Sequence, residues 1–170
     1  LSEDGVIKGQ YSTMGDTYVN WTRDDTITGD VYQKSYFDRM IERNQVNAYL
    51  KEKEEAVCIW KEIELISQKL HFPSEELNHF IRISCSYGRI KYELFAVSWQ
   101  IMLCGYVADT TKKSFNRIEM DKYITAFDDL WKEWNDLSLE NDNCPSMYKI
   151  SSNFFGFPVG IQETIDKYRK

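Results

Sequence analysis

Four residues near the N-terminus have the side chains that sugar chemistry uses. Trp21 ends a short strand-like run at residues 18–21, and Arg23, Asp24 and Asp25 follow it. Enzymes that cleave glycosidic bonds hold two carboxylates roughly 5 to 10 Å apart, often with aromatic rings beside the sugar. The same residues also suit an ordinary turn, because aspartate side chains bond nearby backbone groups. We favour the turn for the two aspartates and predict no catalytic residue, and we keep all four as candidates for substrate binding.

Other candidates for catalysis or metal binding have simpler structural interpretations. His71 and His79 are the two histidines, and neither accompanies a nucleophile motif, so we expect structural roles for both. The stretch Glu76-Leu77-Asn78-His79 matches the Glu-x-x-His pattern of di-metal bundles once, and no other helix supplies a second histidine. Asp128 and Asp129 are adjacent on a predicted helix and point in different directions. We therefore predict no metal site and no cofactor.

Composition limits the classes of partner. The chain has 21 basic and 27 acidic residues, hence a net charge of −6. Phosphate backbones repel such a surface, so nucleic acid is not expected as a partner. The longest apolar region, residues 94–108, is interrupted by polar residues and glycine and is shorter than the ~18 apolar residues of a membrane span. We therefore expect no membrane insertion.

The cysteines favour a reducing compartment. Cys58, Cys85, Cys104 and Cys144 lack the paired CxxC spacing of a zinc site. Cys85 and Cys104 fall on one predicted helix, 19 residues and thus about 28 Å apart, whereas a disulfide needs Cα atoms within roughly 7 Å. We predict buried free thiols and a cytoplasmic location. The sequon Asn20-Trp21-Thr22 is the opposing observation.

Apolar periodicity predicts the fold. Residues 1–30 contain four of the eight glycines and short strand-forming runs, so we expect an irregular or strand-like connector there. From residue 31 apolar residues recur every three to four positions, which indicates amphipathic helices. Their short connections favour antiparallel neighbours, so we predict a mainly α up-and-down bundle over residues 31–140 and a tail with a short helix over 141–170. The predicted long helices lie near residues 31–51, 56–70, 75–106 and 115–137.

Local signals mark the helix ends. Asp30 is a natural N-cap for the first helix, Pro73 ends the second and opens the third, and Ser114 is placed to cap the fourth. Gly88 either breaks the third helix or allows a neighbouring helix to approach closely, and we favour the close approach.

Three stretches carry a resemblance to a known family. Residues 18–39 pass from a strand-like run, through Asp24-Asp25 and Gly29-Asp30, into a helix. With the stretches Ser86–Arg89 and Asp128–Trp134, they resemble the C-terminal helical domain appended to (β/α)₈-barrel glycoside hydrolases. The resemblance implies that the catalytic acid and nucleophile lie in a barrel of ~250 residues, which a chain of 170 residues cannot contain.

We therefore expect a non-catalytic helical accessory domain of a larger protein, most plausibly a carbohydrate-active enzyme, that braces the catalytic domain. Trp21 would stack on a sugar ring, and Arg23 would pair with a hydroxyl or carboxylate. Because the sequence begins at Leu1 rather than methionine, we expect a processed product or fragment. The alternatives are a stand-alone interaction module that docks through the aromatic tail, residues 154–158, and a small hydrolase that uses Asp24 or Asp25.

Overall fold

The computed structural model describes residues 34–111, 116–142 and 169, and the predicted connector over residues 1–30 lies outside them. The described residues form four α-helices and contain no strand, which confirms the mainly α prediction. We number these helices α1 (Lys34–Glu42), α2 (Val46–Ser67), α3 (Glu75–Thr111) and α4 (Arg117–Asp142). Across this part of the chain, none of the helices combines the length and the apolar character that a membrane crossing requires.

Helix α3 is the central element, and α2 packs against it in the antiparallel direction. Tyr49 of α2 stacks on Trp99 of α3 with ring centroids 6.1 Å apart, and Trp60 stacks on Tyr92 at 5.6 Å. The residue number in α3 therefore falls as the number in α2 rises. This arrangement follows from the short connection between the two helices, which leaves the chain room only to reverse direction.

Helix α4 packs against α3 in the antiparallel direction as well. The Tyr87 ring meets Trp134 edge to face with centroids 4.4 Å apart, and His79, nearer the start of α3, lies beside Glu140 near the end of α4. The core lies along α3, where a series of apolar side chains with no exposed surface faces the flanking helices: Ile90, Leu94, Ile101 and Met102.

The first predicted helix boundary is wrong. We expected one helix over residues 31–51, but α1 ends at Glu42 and α2 begins at Val46. The helix ends because Asn44 adopts a left-handed conformation (φ 53°), which asparagine tolerates better than most residues. The N–H of Asn44 donates to the Ile41 carbonyl and that of Gln45 to the Met40 carbonyl, each at 2.9 Å, which is the Schellman pattern of helix ends.

The break expected between residues 51 and 56 does not occur, and α2 continues through this stretch. Lysine and glutamate fill it, and both are good helix formers. Lys51 and Glu55 also form an (i, i+4) ion pair at 3.6 Å, which adds a little to the helical state.

Side-chain caps begin the later helices. The Ser74 hydroxyl accepts the Leu77 N–H at 3.3 Å at the start of α3, which begins at Glu75, just after the Pro73 that was predicted to open it. At the start of α4, Oδ1 of the Asn116 side chain accepts the Glu119 N–H at 3.4 Å. Nδ2 of the same side chain donates to the Glu119 carboxylate at 3.2 Å. Ser114, the predicted cap, lies outside the described residues.

Asn78 fixes the link between α2 and α3. Its side chain is buried, accepts the Phe72 N–H at 2.7 Å and donates to the Phe72 carbonyl at 2.9 Å. The backbone N–H and carbonyl of Phe72, which lies between two helices and has no helical partner for them, therefore both have a hydrogen bond.

Gly88 allows α2 and α3 to approach closely. Helix α3 runs without a break through this position, and the Trp60 ring of α2 occupies the space that a Cβ atom at residue 88 would need. The prediction of a close helix–helix approach is therefore confirmed, and a break at this position is excluded. A glycine at this position lowers the stability of the helix, but it leaves the space in which the Trp60 indole ring packs.

We predict that Gly88→Ala destabilises the protein, although alanine is the better helix former by about 1 kcal/mol. The methyl group must displace the Trp60 ring, and overpacking of this kind typically costs about 1–3 kcal/mol. The measurement is the free energy of unfolding in urea, followed by circular dichroism.

The matched control for this prediction is the same substitution in a Trp60→Ala background. There the clash is absent, so Gly88→Ala should stabilise the helix rather than weaken it. Destabilisation of similar size in both backgrounds would contradict the role given to the indole ring.

Candidate functional site

The residues that sequence reasoning assigned to substrate binding are not among those that the structure describes. Trp21, Arg23, Asp24 and Asp25 all precede residue 34. Their substrate-binding role therefore stays a prediction.

The two histidines and the adjacent aspartates of α4, Asp128 and Asp129, lie at or near the surface. His71 is exposed, and His79 Nδ1 lies 3.6 Å from Glu140 Oε1 in a pair that is partly open to solvent. Asp128 and Asp129 are both exposed, which confirms that they belong to a solvated helix face, and Arg169 donates to the Asp128 carboxylate. Within the described ranges, no three His, Cys, Asp or Glu side chains are grouped as metal ligands would be.

The most concentrated set of charges lies where α2, α3 and α4 meet. We call it the Arg89 cluster; its members are Lys61, Glu64, Arg89, Glu93 and Glu133. Arg89 Nε donates to Glu64 Oε2 at 2.6 Å, and Nη1 donates to Glu93 Oε2 at 2.5 Å. Nη2 donates to Glu133, and Lys61 Nζ lies 2.8 Å from Glu93 Oε1.

The cluster joins three helices through one side chain. Glu64 belongs to α2, Arg89 and Glu93 to α3, and Glu133 to α4. The Arg89 side chain is only 12% exposed, and Glu64 and Glu93 are 17% and 14% exposed, whereas Glu133 is 48% exposed. The guanidinium is therefore withdrawn from water on the α2 side and remains open on the α4 side.

Burial and hydrogen bonding act against each other on Arg89. Burial alone would lower the pKa of the guanidinium, but the hydrogen bonds to Glu133, Glu93 and Glu64 outweigh it and raise the pKa above its ordinary value. Arg89 is consequently charged at every pH that the protein survives. Each of its three nitrogen atoms already donates to a different carboxylate, so the geometry suits a structural clamp rather than an anion-binding site.

Sequence reasoning missed this cluster. A signal was present, because Arg89 and Glu93 are four residues apart inside a long, mostly apolar helical stripe, where such a charge needs a partner. The two stretches quoted for the family resemblance, Ser86–Arg89 and Asp128–Trp134, are brought together here through the Arg89–Glu133 pair. That juxtaposition does not identify a family.

A second polar contact attaches α1 to α3. The Tyr106 hydroxyl donates to Asp38 Oδ1 at 2.5 Å, and the Tyr106 ring stacks on Phe37 with centroids 5.2 Å apart. Burial first, and then the hydrogen bond and the charge of Asp38, raise the pKa of Tyr106 to about 12.

Cys104 is not suited to nucleophilic chemistry. Burial and the charge of Glu119 raise the pKa of its thiol to about 11, so this cysteine is a poor nucleophile at neutral pH.

The cysteines that the structure describes carry free thiols. Cys58 is exposed on α2, and Cys85 and Cys104 are half-buried on the continuous helix α3. The prediction that Cys85 and Cys104 cannot pair is confirmed. The prediction of buried thiols is wrong for Cys58, which is exposed, and goes too far for Cys85 and Cys104, which are half-buried. Cys144 lies outside the described residues.

Helix α2 presents an apolar face to solvent. Ile59 and Ile66 are each 56% exposed and Leu70 is 44% exposed, with the half-buried Ile63 between them. We call these four residues the α2 stripe. Ile59, Ile63 and Ile66 follow the spacing i, i+4 and i+7, so they lie on one side of the helix, and Leu70 follows three residues after the helix ends.

The α2 stripe corrects the predicted packing of this helix. The sequence predicts one apolar stripe opposite the charged face of this helix, made of Ala56, Ile59, Trp60, Ile63, Ile66 and Leu70. The structure turns Trp60 towards α3, and Ile59, one position away, is rotated by about 100° around the helix axis. The apolar arc of α2 is wider than its contact with α3, so the outer part stays exposed.

Comparison of this chain with protein-family models, with curated proteins and with solved structures finds no match.

We predict that Arg89→Met lowers the free energy of unfolding by about 3–5 kcal/mol, because it leaves partly buried carboxylates without a counter-charge. The measurement is urea denaturation at neutral pH. Adding Glu64→Gln and Glu93→Gln to this variant should recover part of the loss, since the neutral side chains no longer repel each other.

Arg117→Met is the matched control for this prediction. Arg117 pairs with Asp121 at 3.0 Å, but both side chains are more than half exposed, so its loss should cost less than about 1 kcal/mol. Equal losses for the two variants would contradict the clamp role of Arg89.

We predict that Tyr106→Phe lowers stability at neutral pH and that its difference from the wild type shrinks in alkali. The folded protein holds the Tyr106 proton up to a pKa of about 12, above the ordinary value of 10. The stabilisation is therefore complete below pH 10 and is lost as the pH rises through 12. Urea denaturation of both proteins from pH 7 to pH 11.5 measures it, and a constant difference over that range would contradict the assignment.

Proposed function

We propose that this chain is a non-catalytic helical accessory domain of a larger protein and that it braces its neighbour through the α2 stripe. The observation that supports the proposal is the exposure of large aliphatic side chains along one side of α2 and just beyond its end: Ile59 and Ile66 on the helix, and Leu70 three residues after it. Isolated exposed apolar residues are ordinary, whereas a run of them on one face is typical of a protein interface.

The position of α2 in the fold supports this use. Ser67 is the one residue of its 22 that is fully buried, so the helix contributes one flank to the core and leaves the other accessible. Helix α3, by comparison, contacts helices on two sides. An edge helix with an apolar outer face is suited to pack against a further domain.

The Arg89 cluster holds α2 in a fixed position against α3. Glu64 lies between Ile63 and Ile66 in the sequence and is held by Arg89 Nε at 2.6 Å, so the stripe belongs to a helix that is tied to α3. Trp60 adds a second anchor at Gly88. A surface that is already ordered loses less entropy when a partner binds it.

The class of the parent protein is part of the proposal and has a separate basis. The resemblance of residues 18–39 to the junction in glycoside hydrolases supports a carbohydrate-active enzyme as the parent protein, and the candidate contacts Trp21, Arg23, Asp24 and Asp25 belong to that stretch. Activity of the parent protein towards a panel of glycosides tests it. Bracing through the α2 stripe does not depend on its outcome.

Cysteine footprinting tests the bracing function. We expect the thiol of an Ile66→Cys variant to be alkylated several-fold more slowly in the longer parent protein than in this chain alone, because the neighbouring domain covers α2. Peptide mass spectrometry separates this position from Cys58, Cys85, Cys104 and Cys144.

Asp129→Cys, on the exposed face of α4, is the matched control and should react at the same rate in both proteins. Equal rates for Ile66→Cys in the two proteins would contradict bracing through α2. A gene that encodes nothing beyond these 170 residues would contradict the accessory-domain function itself.

A further inference from the structure

We propose that the segment that covers the α2 stripe is an amphipathic helix with lysine or arginine residues beside its apolar face. This inference rests on the proposed function of the stripe and adds the chemistry of the partner to it. It comes from the shape of the stripe and from the charges along its border.

Glutamates border the stripe. Glu52, Glu55 and Glu62 are all exposed, and they lie seven and four residues before Ile59 and three residues after it. Helical geometry places residues with those spacings on the same face. Apolar contacts and acidic side chains are therefore presented together to whatever binds α2.

Two lysines of α2 leave the border along the helix acidic, and Lys69, which is exposed beside Leu70, adds a positive charge only at the end of the stripe. Lys51 lies 3.6 Å from Glu55, but the two side chains are 76% and 64% exposed, so the pair is weak and either side chain is available to a partner. Lys61 is directed to Glu93 in the Arg89 cluster at 2.8 Å. The negative potential along the stripe favours a partner of opposite charge.

The shape of the stripe favours a helix as the partner. From Ile59 to Ile66 it extends for about 10 Å along α2, at ~1.5 Å per residue, and Leu70 lies just beyond the helix end. The side chains of Ile59, Ile63 and Ile66 form a ridge along the i, i+4, i+7 line. Such ridges pack into the grooves of a second helix. The anchors of a bound helix would recur at the same three- to four-residue spacing.

The same charges argue against the other possible partners. In a two-fold symmetric dimer the same patch appears on both copies, so acid-bordered stripes would face each other. Nucleic acid and anionic lipid surfaces would meet the glutamates of a chain whose net charge is −6. A basic helix from a protein satisfies both the apolar face and its border.

Two synthetic peptides test the proposal against the full 170-residue chain. Both are amphipathic helices of about five turns with leucine at i, i+3, i+4 and i+7. One carries lysine beside the leucines, and the other carries glutamate at the same positions. Fluorescence anisotropy gives the Kd of each, and we expect the lysine peptide to bind at least about tenfold more tightly.

Substitutions in this chain test whether the peptides bind at the α2 stripe. Ile66→Asp should abolish it, and Glu55→Lys with Glu62→Lys should weaken the lysine peptide about tenfold while strengthening the glutamate peptide. The matched control, Asp129→Lys with Asp136→Lys, changes two exposed acids of α4 and hence the net charge by the same amount. It should leave both Kd values unchanged, so a general charge effect is distinguished from a local one.

The possible failures are distinguishable. If both peptides bind equally and Ile66→Asp abolishes both, the choice of a basic partner is overturned and the docking surface stands. If Ile66→Asp changes neither Kd, the α2 stripe is not a docking surface, and the bracing function fails with it. A concentration-dependent dimer of the chain alone, lost in Ile66→Asp, overturns the proposal in favour of a second copy.

Discussion

A partly buried guanidinium must keep carboxylate partners, and the arrangement of α2, α3 and α4 depends on this requirement at Arg89. Its nitrogen atoms bond Glu64, Glu93 and Glu133, which come from all three helices. A slide of either flanking helix by one turn, about 5.4 Å, would remove a partner from its nitrogen. Apolar packing alone tolerates such shifts better, since it has no direction, so Arg89 contributes to the register as much as to stability.

Gly88, which precedes Arg89, sets the distance between α2 and α3. Because residue 88 has no side chain, the Trp60 ring lies against the α3 backbone, and this close approach brings Glu64 within reach of Arg89. The two adjacent residues therefore act together: the absence of a Cβ atom at one position allows the ion pair at the next. The exposed face of α2 is a consequence of the same contact, because turning Trp60 inward turns Ile59 outward.

Much of this fold is predictable from the sequence, because a 3.6-residue apolar period and short connections leave few arrangements. The mainly α bundle, the capping of α3 at Ser74 and the reason for Gly88 all follow from local rules. The turn at Asn44 does not, because an asparagine with positive φ has no distinct pattern in a polar stretch. The Arg89 cluster and the exposed α2 stripe depend on which residues meet across helices, which no local period encodes.

The attachment of α1 has a consequence for the order of events during synthesis. Tyr106 and Asp38 are 68 residues apart in sequence, and the antiparallel course of the chain places the first helix against the late part of α3. As the chain leaves the ribosome, α1 and the start of α2 have no partner until the second half of α3 has emerged. Closing so long a loop carries a larger entropic penalty than closing the α2–α3 or α3–α4 hairpin. Helix α1 therefore cannot be secured until more than sixty further residues have been made.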